Sequence, residues 1–316
     1  LDKDPVTRFL AFSAVFEREM TRLLENEDAV PTAEFADMVI RTLKDEELMN
    51  SCDSMPLLMF ESVSDPRFAH EYGKLYSAKQ KILRGIAEKY EDTLRALYVK
   101  YDVSYQADGF EPAVLSAQFK ANSVKNLVLT ILASLDTPDI QNLIRAQYRN
   151  ADSATNRLAA LSLYLSSSAS DRMDVLCEEL ARSAHHPLAF ENFIAAAANT
   201  ARDTVSYLKM IEASHKFHIE QAGEARSLYL RFAQNRKVSL ETEEGREFLK
   251  ASIIRLSKVN AYITTGMLSV FSHMKEYPDD LKEKLMEVLL EIERSVSAEE
   301  SPAVYQTAKQ ILSAVR

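Results

Sequence analysis

Glycine and proline are scarce in this chain of 316 residues, which has only 6 glycines, 9 prolines and no tryptophan. Because glycine and proline mark tight turns, their scarcity predicts few turns and long regular elements. No Asn-Gly or Asp-Gly pair separates two alternating apolar runs, so the signals of β-hairpins are missing too. Ala, Leu, Glu, Lys and Arg dominate, and all five favour helices. The composition therefore predicts an all-α protein.

Long hydrophobic runs and clusters of positive charge are also missing. No stretch approaches the roughly 18 consecutive apolar residues that are typical of a membrane span. The net charge is −9, and no run of basic residues is long enough to suggest phosphate binding, which depends on clustered Lys and Arg. The sequence therefore predicts neither a nucleic-acid partner nor a membrane partner.

Cysteine occurs only at positions 52 and 177. Two cysteines far apart in the sequence indicate free thiols in a reduced, cytoplasmic compartment. We expect both thiols to be buried, with Cys177 on the apolar face of a helix. The chain starts with Leu1 and shows no signal peptide, and we interpret residue 1 as an internal position of a longer polypeptide.

Proline and short polar residues recur where helices are expected to begin. The pair Thr137-Pro138 combines an N-cap with proline at the first helical position. Pro66 precedes a helical stretch to about Tyr101, which we expect to be split near Gly73 or Gly85. Other N-cap candidates precede apolar patterns of period 3.6 and predict further helix starts: Ser153, Ser170, Thr204, Thr242, Asp279 and Ser301.

The least regular stretch is residues 102–112 (DVSYQADGFEP), which contain glycine, proline and aspartate. It divides an N-terminal helical block, residues 1–101, from a helical-repeat block, residues 112–316. In the second block the spacing predicts antiparallel helix pairs of about 35 to 40 residues, the range of helical solenoids. We therefore predict a solenoid-like array of antiparallel helix pairs, an ARM/HEAT-like superhelix.

Catalytic and metal-binding patterns are absent. The chain contains no H-E-x-x-H, G-x-S-x-G, G-x-G-x-x-G or Walker loop. On a helix, His215 and His218 would share one face as metal ligands do, but no third ligand accompanies them, so a solvated polar face is the better interpretation. The remaining histidines do not form a ligand pattern: His70, His185, His186 and His273. We predict no catalytic residue, no metal ligand and no cofactor in this chain.

Four segments match one known family in their order and spacing. Residues 122–129 (NSVKNLVL) resemble its R-T-L-R-N-x-x-L helix, and residues 148–161 resemble an aromatic followed by N-x-x-x-A-x-x-x-L-A-A-L. Residues 223–228 and 257–266 correspond to an N-R-x-R-[SA]-L helix and a D-x-x-N-P-Q-x-A-x-R segment. Together they resemble the C-terminal helical domain of the zinc aminopeptidases of the aminopeptidase N family, over nearly the whole chain.

This resemblance implies a role for the chain. A parent enzyme of this type would hydrolyse N-terminal residues from peptides with a zinc-activated water. The zinc would belong to an upstream catalytic domain of the same polypeptide, because this chain lacks H-E-x-x-H. The domain itself would close the catalytic chamber and limit peptide access. The implied partners are the upstream catalytic domain and peptide substrates.

The resemblance also yields candidate residues of the substrate chamber. A chamber-facing arginine of the family falls at Arg226, and a family asparagine falls at Asn260, which we expect to cap a helix. Two polar chamber residues, a glutamine and an arginine, fall at Tyr262 and Gly266. Arg226 would either face the chamber or form an ion pair inside the domain. These departures mark a divergent member of the family.

An alternative function stays open at this point. A non-catalytic α-solenoid scaffold would bind a protein partner on its concave face, and the loss of polar chamber residues at positions 262 and 266 favours it. In either case the apolar positions of residues 122–165 should form the core: Leu127, Leu129, Ile131, Leu132, Leu143, Leu158, Leu161 and Leu165.

Overall fold

The computed structural model describes residues 4–103 and 111–315, and in these two ranges every regular element is helical. The predicted all-α class is therefore confirmed. Residues 104–110 of the predicted irregular stretch lie outside the described residues. The packing separates two compact units: residues up to Ala69 with Lys74–Ala169, and His70–Gly73 with the chain from Ser170 onward. The predicted blocks 1–101 and 112–316 follow the irregularity of the sequence and stay a prediction.

The first unit contains seven of the helices that the structure describes. Asp4 caps the first of them, since its carboxylate accepts a hydrogen bond from the amide of Thr7 at 2.8 Å. Thr137 and Ser153 cap two later helices in the same way, as predicted. The helices are α1 Pro5–Glu25, α2 Ala33–Lys44, α3 Glu46–Cys52, α4 Tyr72–Lys100, α5 Pro112–Ala133, α6 Pro138–Asn150 and α7 Ala154–Ser166.

The long helix α4 differs from its prediction. It begins at Tyr72, and its irregular residue is Tyr90, with φ −130° and ψ 28°, so the expected split near Gly73 or Gly85 is wrong. Gly85 instead allows a close approach, because a Cβ there would lie 3.0 Å from Cγ of Pro31. At Tyr90 the hydroxyl donates to Asp37 of α2, which holds the kink.

Five of the eight predicted core leucines and isoleucines in residues 122–165 are buried: Leu129, Ile131, Leu132, Leu161 and Leu165. Leu127, Leu143 and Leu158 are half-buried, so their prediction as core is wrong. The buried stripe of α5 runs instead through Val124, Val128, Ile131 and Leu132, at the helical spacing. Leu127 falls beside this stripe.

The second unit contains the rest of the described helices. A continuous helical stretch, residues 222–234, is interrupted by a π-helix, Arg226–Leu230. Short 3₁₀ turns, Ser269–Phe271 and Met274–Glu276, follow α15. The α-helices are α8 Arg172–Ser183, α9 Pro187–Ala198, α10 Thr204–Ala213, α11 Ala222–Ala225, α12 Arg231–Gln234, α13 Arg236–Ser239, α14 Glu243–Ser257, α15 Ala261–Leu268, α16 Asp279–Ser295 and α17 Pro302–Val315.

Helix starts in the second unit agree with the sequence to within two residues. Thr242 caps α14, as predicted, by accepting from the amide of Gly245 at 3.0 Å. Three predicted caps are wrong, because neighbouring residues hold the cap positions of α8, α10 and α16: Asp171, Asp203 and Pro278. Polar residues stand side by side at these starts, so the pattern locates the turn but not the residue.

The main helices of the second unit form two layers. One layer contains α8, α10, α14 and α16, and the other contains α9, the stretch 222–234, α15 and α17. Four pairs of consecutive helices pack across the layers, namely α8 with α9, α9 with α10, α14 with α15 and α16 with α17. Every second helix packs within its own layer. This alternation is the arrangement expected of repeated antiparallel helix pairs.

Candidate functional site

The three predicted chamber residues lie on neighbouring helices of one layer. Arg226 is the first residue of the π-helix, whereas Asn260 caps α15 and Tyr262 lies in its first turn. The stretch 222–234 packs against α15. A Cβ at Gly266 would lie 3.4 Å from a methyl carbon of Leu230. Arg226 precedes Leu230 by about one turn, and Tyr262 precedes Gly266 by about one turn.

Helix directions place Arg226 and Tyr262 at the same end of this layer. Tyr229 contacts Arg255, and Phe232 contacts Phe248 with ring centroids 5.0 Å apart, so α14 runs antiparallel to the stretch 222–234. The chain then reverses within residues 258–260 to enter α15. Consequently α15 runs in the same direction as the stretch that carries Arg226.

Arg226 is exposed, and within the described residues its side chain makes no hydrogen bond or ion pair. The sequence left open an ion pair of Arg226 inside the domain, and no such pair is found within the described residues. The helix around Arg226 is unusual, because the amide of Arg231 donates to the carbonyl of Arg226, an i→i+5 bond. Such π-helical turns are rare and occur frequently at functional sites.

Asn260 and Tyr262 have different roles. The side-chain oxygen of Asn260 accepts a hydrogen bond from the amide of Ile263 at 3.0 Å, so the expected helix cap is present. Tyr262 is 85% exposed, the largest exposure among the large hydrophobic side chains described. Asn260 therefore shapes the start of α15, while Tyr262 offers an aromatic ring to the surface.

Sequence reasoning missed a contact that positions this end of the layer. Arg255 of α14 donates to the hydroxyl of Tyr229 at 2.8 Å and pairs with Glu212 of α10. Burial raises the pKa of the Tyr229 phenol, and Glu212 raises it further, so the hydroxyl stays neutral. The three groups come from three helices, which a linear pattern does not connect. Arg255 is thus occupied inside the unit, unlike Arg226.

The two layers of the second unit differ in charge. Helix α16 carries nine charged residues, whereas α15 carries none, α9 only Glu191 and α17 only Lys309. We call the layer of α9, residues 222–234, α15 and α17 the low-charge layer. Its described cations on the stretch 222–234 are Arg226 and Arg231, and both are exposed. A surface with so few charges differs from an ordinary solvated helix face.

The first two family-like segments form a different kind of region, a buried amide network in the first unit. Asn156 donates to Oδ1 of Asn122 and accepts from Asn126, both at 2.9 Å. Gln147 donates to Oδ1 of Asn126 at 2.9 Å and accepts from the hydroxyl of Tyr98 at 2.9 Å. The network joins α4, α5, α6 and α7 through their side chains. Its members satisfy one another, so it stabilises the fold and leaves no group for a ligand.

Lys125 extends this network towards the surface. Its side chain is buried, pairs with Asp102 and lies 5.1 Å from the centre of the Tyr98 ring. Burial raises the pKa of the Tyr98 hydroxyl, which keeps it a neutral donor to Gln147. The ammonium group is thus held by an ion pair and an aromatic face.

Comparison with known proteins decides the family. A family model described as "Domain of unknown function (DUF3458_C) ARM repeats" matches residues 1–312. The chain belongs to the DUF3458_C family. The ARM description agrees with the predicted array of helix pairs.

A solved structure resembles this DUF3458_C domain in fold. It is the crystal structure of Legionella pneumophila aminopeptidase A in complex with aspartic acid, with a TM-score of 0.82 and 17% sequence identity. The match covers 99% of this chain and 37% of that protein, so the chain spans well under half of its length. The predicted resemblance is confirmed, because the chain shares the helical fold of this part of an aminopeptidase structure.

Other sequence-predicted groups in the DUF3458_C domain are placed as follows. His215 and His218 lie beyond the end of α10 at Ala213, so the shared helix face is wrong, and the amide of His218 donates to Glu224 at 2.7 Å. His70 and His273 stack with centroids 5.8 Å apart. Residues 4–103 and 111–315 contain no group of three or more His, Cys, Asp or Glu side chains that could hold a metal ion.

The cysteine prediction is corrected. Cys177 is exposed, and Cys52 is half-buried. The buried face of α8 runs through Val175, Leu176 and Glu179, so position 177 points away from it. None of the helices in the described ranges is long and apolar enough to cross a membrane.

Proposed function

We propose that this domain closes the catalytic chamber of an aminopeptidase N-type zinc exopeptidase and limits the access of peptides. In this proposal the Arg226 end of the low-charge layer faces the chamber. One observation carries the assignment: Arg226 is exposed and unpaired among the described residues, on a π-helical turn at the same end of the layer as the exposed Tyr262. The similarity to an aminopeptidase over 99% of the chain supports the family role.

The described residues contain no group of three or more His, Cys, Asp or Glu side chains for a metal ion. The proposal therefore assigns the metal, and every bond-breaking step, to an upstream catalytic domain. In this proposal the chain limits the access of peptides to the chamber and contacts the peptides that enter. An arginine and a tyrosine at the surface supply donors and an aromatic face for a peptide chain, while helices with few charges tolerate apolar side chains.

The departures from the family alter the chemistry of this surface. Gly266 stands where a chamber arginine is expected, and its neighbour is the aliphatic side chain of Leu230. Tyr262 stands where a glutamine is expected. The cationic contact expected on α15 is therefore missing, and Arg226 on the neighbouring helix keeps the other one. The alternative scaffold function gains no support from the comparisons.

The test uses the complete polypeptide that contains this domain. Arg226→Gln removes the charge, and Arg294→Gln on α16 is the matched control, because Arg294 is also exposed but belongs to the other layer. We expect Arg226→Gln to lower kcat/KM for peptides about 3- to 10-fold, the range of one charge-assisted contact. The melting temperature should stay within about two degrees of the wild type.

Substrate length gives the second readout. If the domain restricts peptide access, a change at its chamber face should affect large and small substrates differently. We expect Arg226→Gln to change the turnover of long peptides more than the turnover of an aminoacyl chromogenic amide. Equal effects of Arg226→Gln and Arg294→Gln on all substrates would contradict the proposed orientation of the domain.

A further inference from the structure

The π-helix changes which residues of the stretch 222–234 share a face. In an α-helix, residues five positions apart point about 140° away from each other, because each residue turns the helix by about 100°. Here the amide of Arg231 bonds to the carbonyl of Arg226. An i→i+5 bond lengthens the turn by one residue, so the second residue lies closer to the direction of the first than it would in an α-helix. The π-turn therefore brings Arg226 and Arg231 to one side of the helix.

Burial along the stretch agrees with this alignment. Arg226 and Arg231 are both exposed, whereas the residues between them that face the core are buried: Ser227, Leu228 and Tyr229. Leu230 is half-buried against α15. The two guanidinium groups thus rise from the same exposed strip of the low-charge layer.

Neither arginine is neutralised by a carboxylate within the described residues. Arg231 contacts only the amide oxygen of Gln234, at 3.4 Å, and Arg226 has no side-chain partner there. Three other arginines of the second unit behave differently, because each pairs with a carboxylate: Arg172 with Asp203, Arg182 with Glu178 and Arg255 with Glu212. Two adjacent unpaired cations in a chain of net charge −9 form a local exception to its acidic character.

We infer that Arg226 and Arg231 together bind an acidic peptide segment, one with two neighbouring carboxylates, on the surface next to Tyr262. Each guanidinium presents N–H groups in a planar fork that matches a carboxylate. Two guanidinium groups separated by one π-turn can bind two carboxylates from adjacent acidic residues. They can equally bind a terminal carboxylate and the side chain of an acidic residue next to it. Tyr262, exposed on the neighbouring helix, provides a ring for the adjoining residue.

One acidic side chain limits the extent of this site. The carboxylate of Glu191 on α9 occupies the space where a Cβ at Gly223 would lie, about one turn before Arg226. It would repel a third carboxylate at that end. The ligand is therefore expected to be acidic near Arg226 and Arg231 and neutral or basic towards α9.

This inference deepens the proposed function, since a peptide reaching the chamber face is its ligand, but its test does not need the catalytic domain. The chain is titrated with N-acetyl-Ala-Ala-Glu-Glu amide and with its neutral counterpart N-acetyl-Ala-Ala-Gln-Gln amide, which differ only in two side-chain carboxylates, and binding is followed by NMR shifts. We expect the acidic peptide to bind about 5- to 20-fold more tightly at low salt, and the difference to shrink at high salt.

Variants locate the contact. Arg226→Gln and Arg231→Gln should each weaken binding of the acidic peptide about 2- to 5-fold, as expected of exposed charge pairs. The lysine variants Arg226→Lys and Arg231→Lys should retain part of the affinity, and Arg294→Gln should leave it unchanged. Thermal melts of every variant check that a loss of binding is not a loss of fold.

Two results would overturn the inference: equal affinity for the acidic and the neutral peptide, or equal sensitivity of binding to Arg226→Gln and Arg294→Gln. Neither bears on chamber closure, which is tested by substrate length in the complete polypeptide. Conversely, the domain could bind the acidic peptide selectively and yet have no effect on the access of long peptides in the complete polypeptide. That result would support the acidic-peptide site and contradict chamber closure.

Discussion

Two regions of this domain carry family-like sequence, and they use polar side chains in opposite ways. In the amide network, Asn122, Gln147 and Asn156 are buried and Asn126 is half-buried, and the four side chains are hydrogen-bonded to one another. At the Arg226 end of the low-charge layer, polar and aromatic groups are exposed, and Arg226 has no partner among the described residues. Polar residues that satisfy each other hold the fold, whereas polar residues left open to solvent are available to a ligand.

The largest expected effect lies in the apolar packing around the network. Leu161 of α7 is fully buried, so Leu161→Ala should lower the free energy of unfolding by about 2–5 kcal/mol. Leu158→Ala, at a half-buried position of the same helix, should lower it less. Urea unfolding of the two variants measures the difference. Equal losses would show that burial does not separate the two positions.

A smaller loss is expected when the network itself is broken. Asn156→Ala removes the acceptor of the half-buried Asn126 amide and the donor to Oδ1 of the buried Asn122, and the loss of these two hydrogen bonds should cost about 1–2 kcal/mol. Asn142→Ala, at an exposed asparagine of α6, is the control and should be close to neutral. If both variants were equally stable, the network would not stabilise the fold and the contrast between the regions would fail.

Asn260 lies beside the exposed surface but acts as part of the fold. Asn260→Ala should remove the cap of α15 and destabilise the domain by about 0.5–2 kcal/mol. Asn260→Ser retains an acceptor and should restore most of that loss. A thermal melt distinguishes them. If Asn260→Ala left the melting temperature unchanged, the cap would not stabilise the fold, and Asn260 would belong with the residues available to a ligand.

The smallest expected effect depends on pH. Glu241 accepts a hydrogen bond from the amide of Gly73 at 2.7 Å, and burial raises the pKa of its carboxyl above the ordinary 4.5. A raised folded-state pKa means that the folded protein binds this proton more tightly. The stability from this group is therefore present below about pH 4.5 and is lost as pH rises through the raised pKa.

Glu241→Gln removes this dependence. As the pH rises from 4 to 8, the glutamine variant should become more stable relative to wild type. The stability lost in Asn156→Ala should be the same at both pH values, because amides do not titrate. Urea midpoints at the two pH values give the comparison. A constant difference between Glu241→Gln and wild type would contradict the assigned burial effect.

Local chemistry made much of the fold predictable from the sequence. Thr137-Pro138, Ser153 and Thr242 mark helix starts by capping and by fixed proline geometry, and the structure has helices there. The burial of Asn122 and Asn156 was not predictable, because it depends on partners 34 residues apart that meet only after folding. A helical periodicity argument assigns apolar residues to the buried face and polar residues to the exposed face. It therefore predicts that asparagine side chains are exposed.

The candidate site was only partly predictable. The resemblance supplied positions 226, 260 and 262, but exposure and pairing decide their roles and are tertiary properties. The π-helix that aligns Arg226 with Arg231 has no sequence signal that we recognise. The lack of charge in α15 is visible in the sequence, as is the single charge of α9, and comparing charge between alternate helices would have indicated the low-charge layer.

The most direct test of the contrast between the two regions measures stability and turnover together in the complete polypeptide. Asn156→Ala represents the buried network, and Arg226→Gln represents the exposed surface. The account predicts opposite outcomes: Asn156→Ala lowers the melting temperature but leaves kcat/KM at 25 °C nearly unchanged, while Arg226→Gln lowers kcat/KM and leaves the melting temperature unchanged. It would be contradicted if Arg226→Gln lowered stability and turnover in proportion.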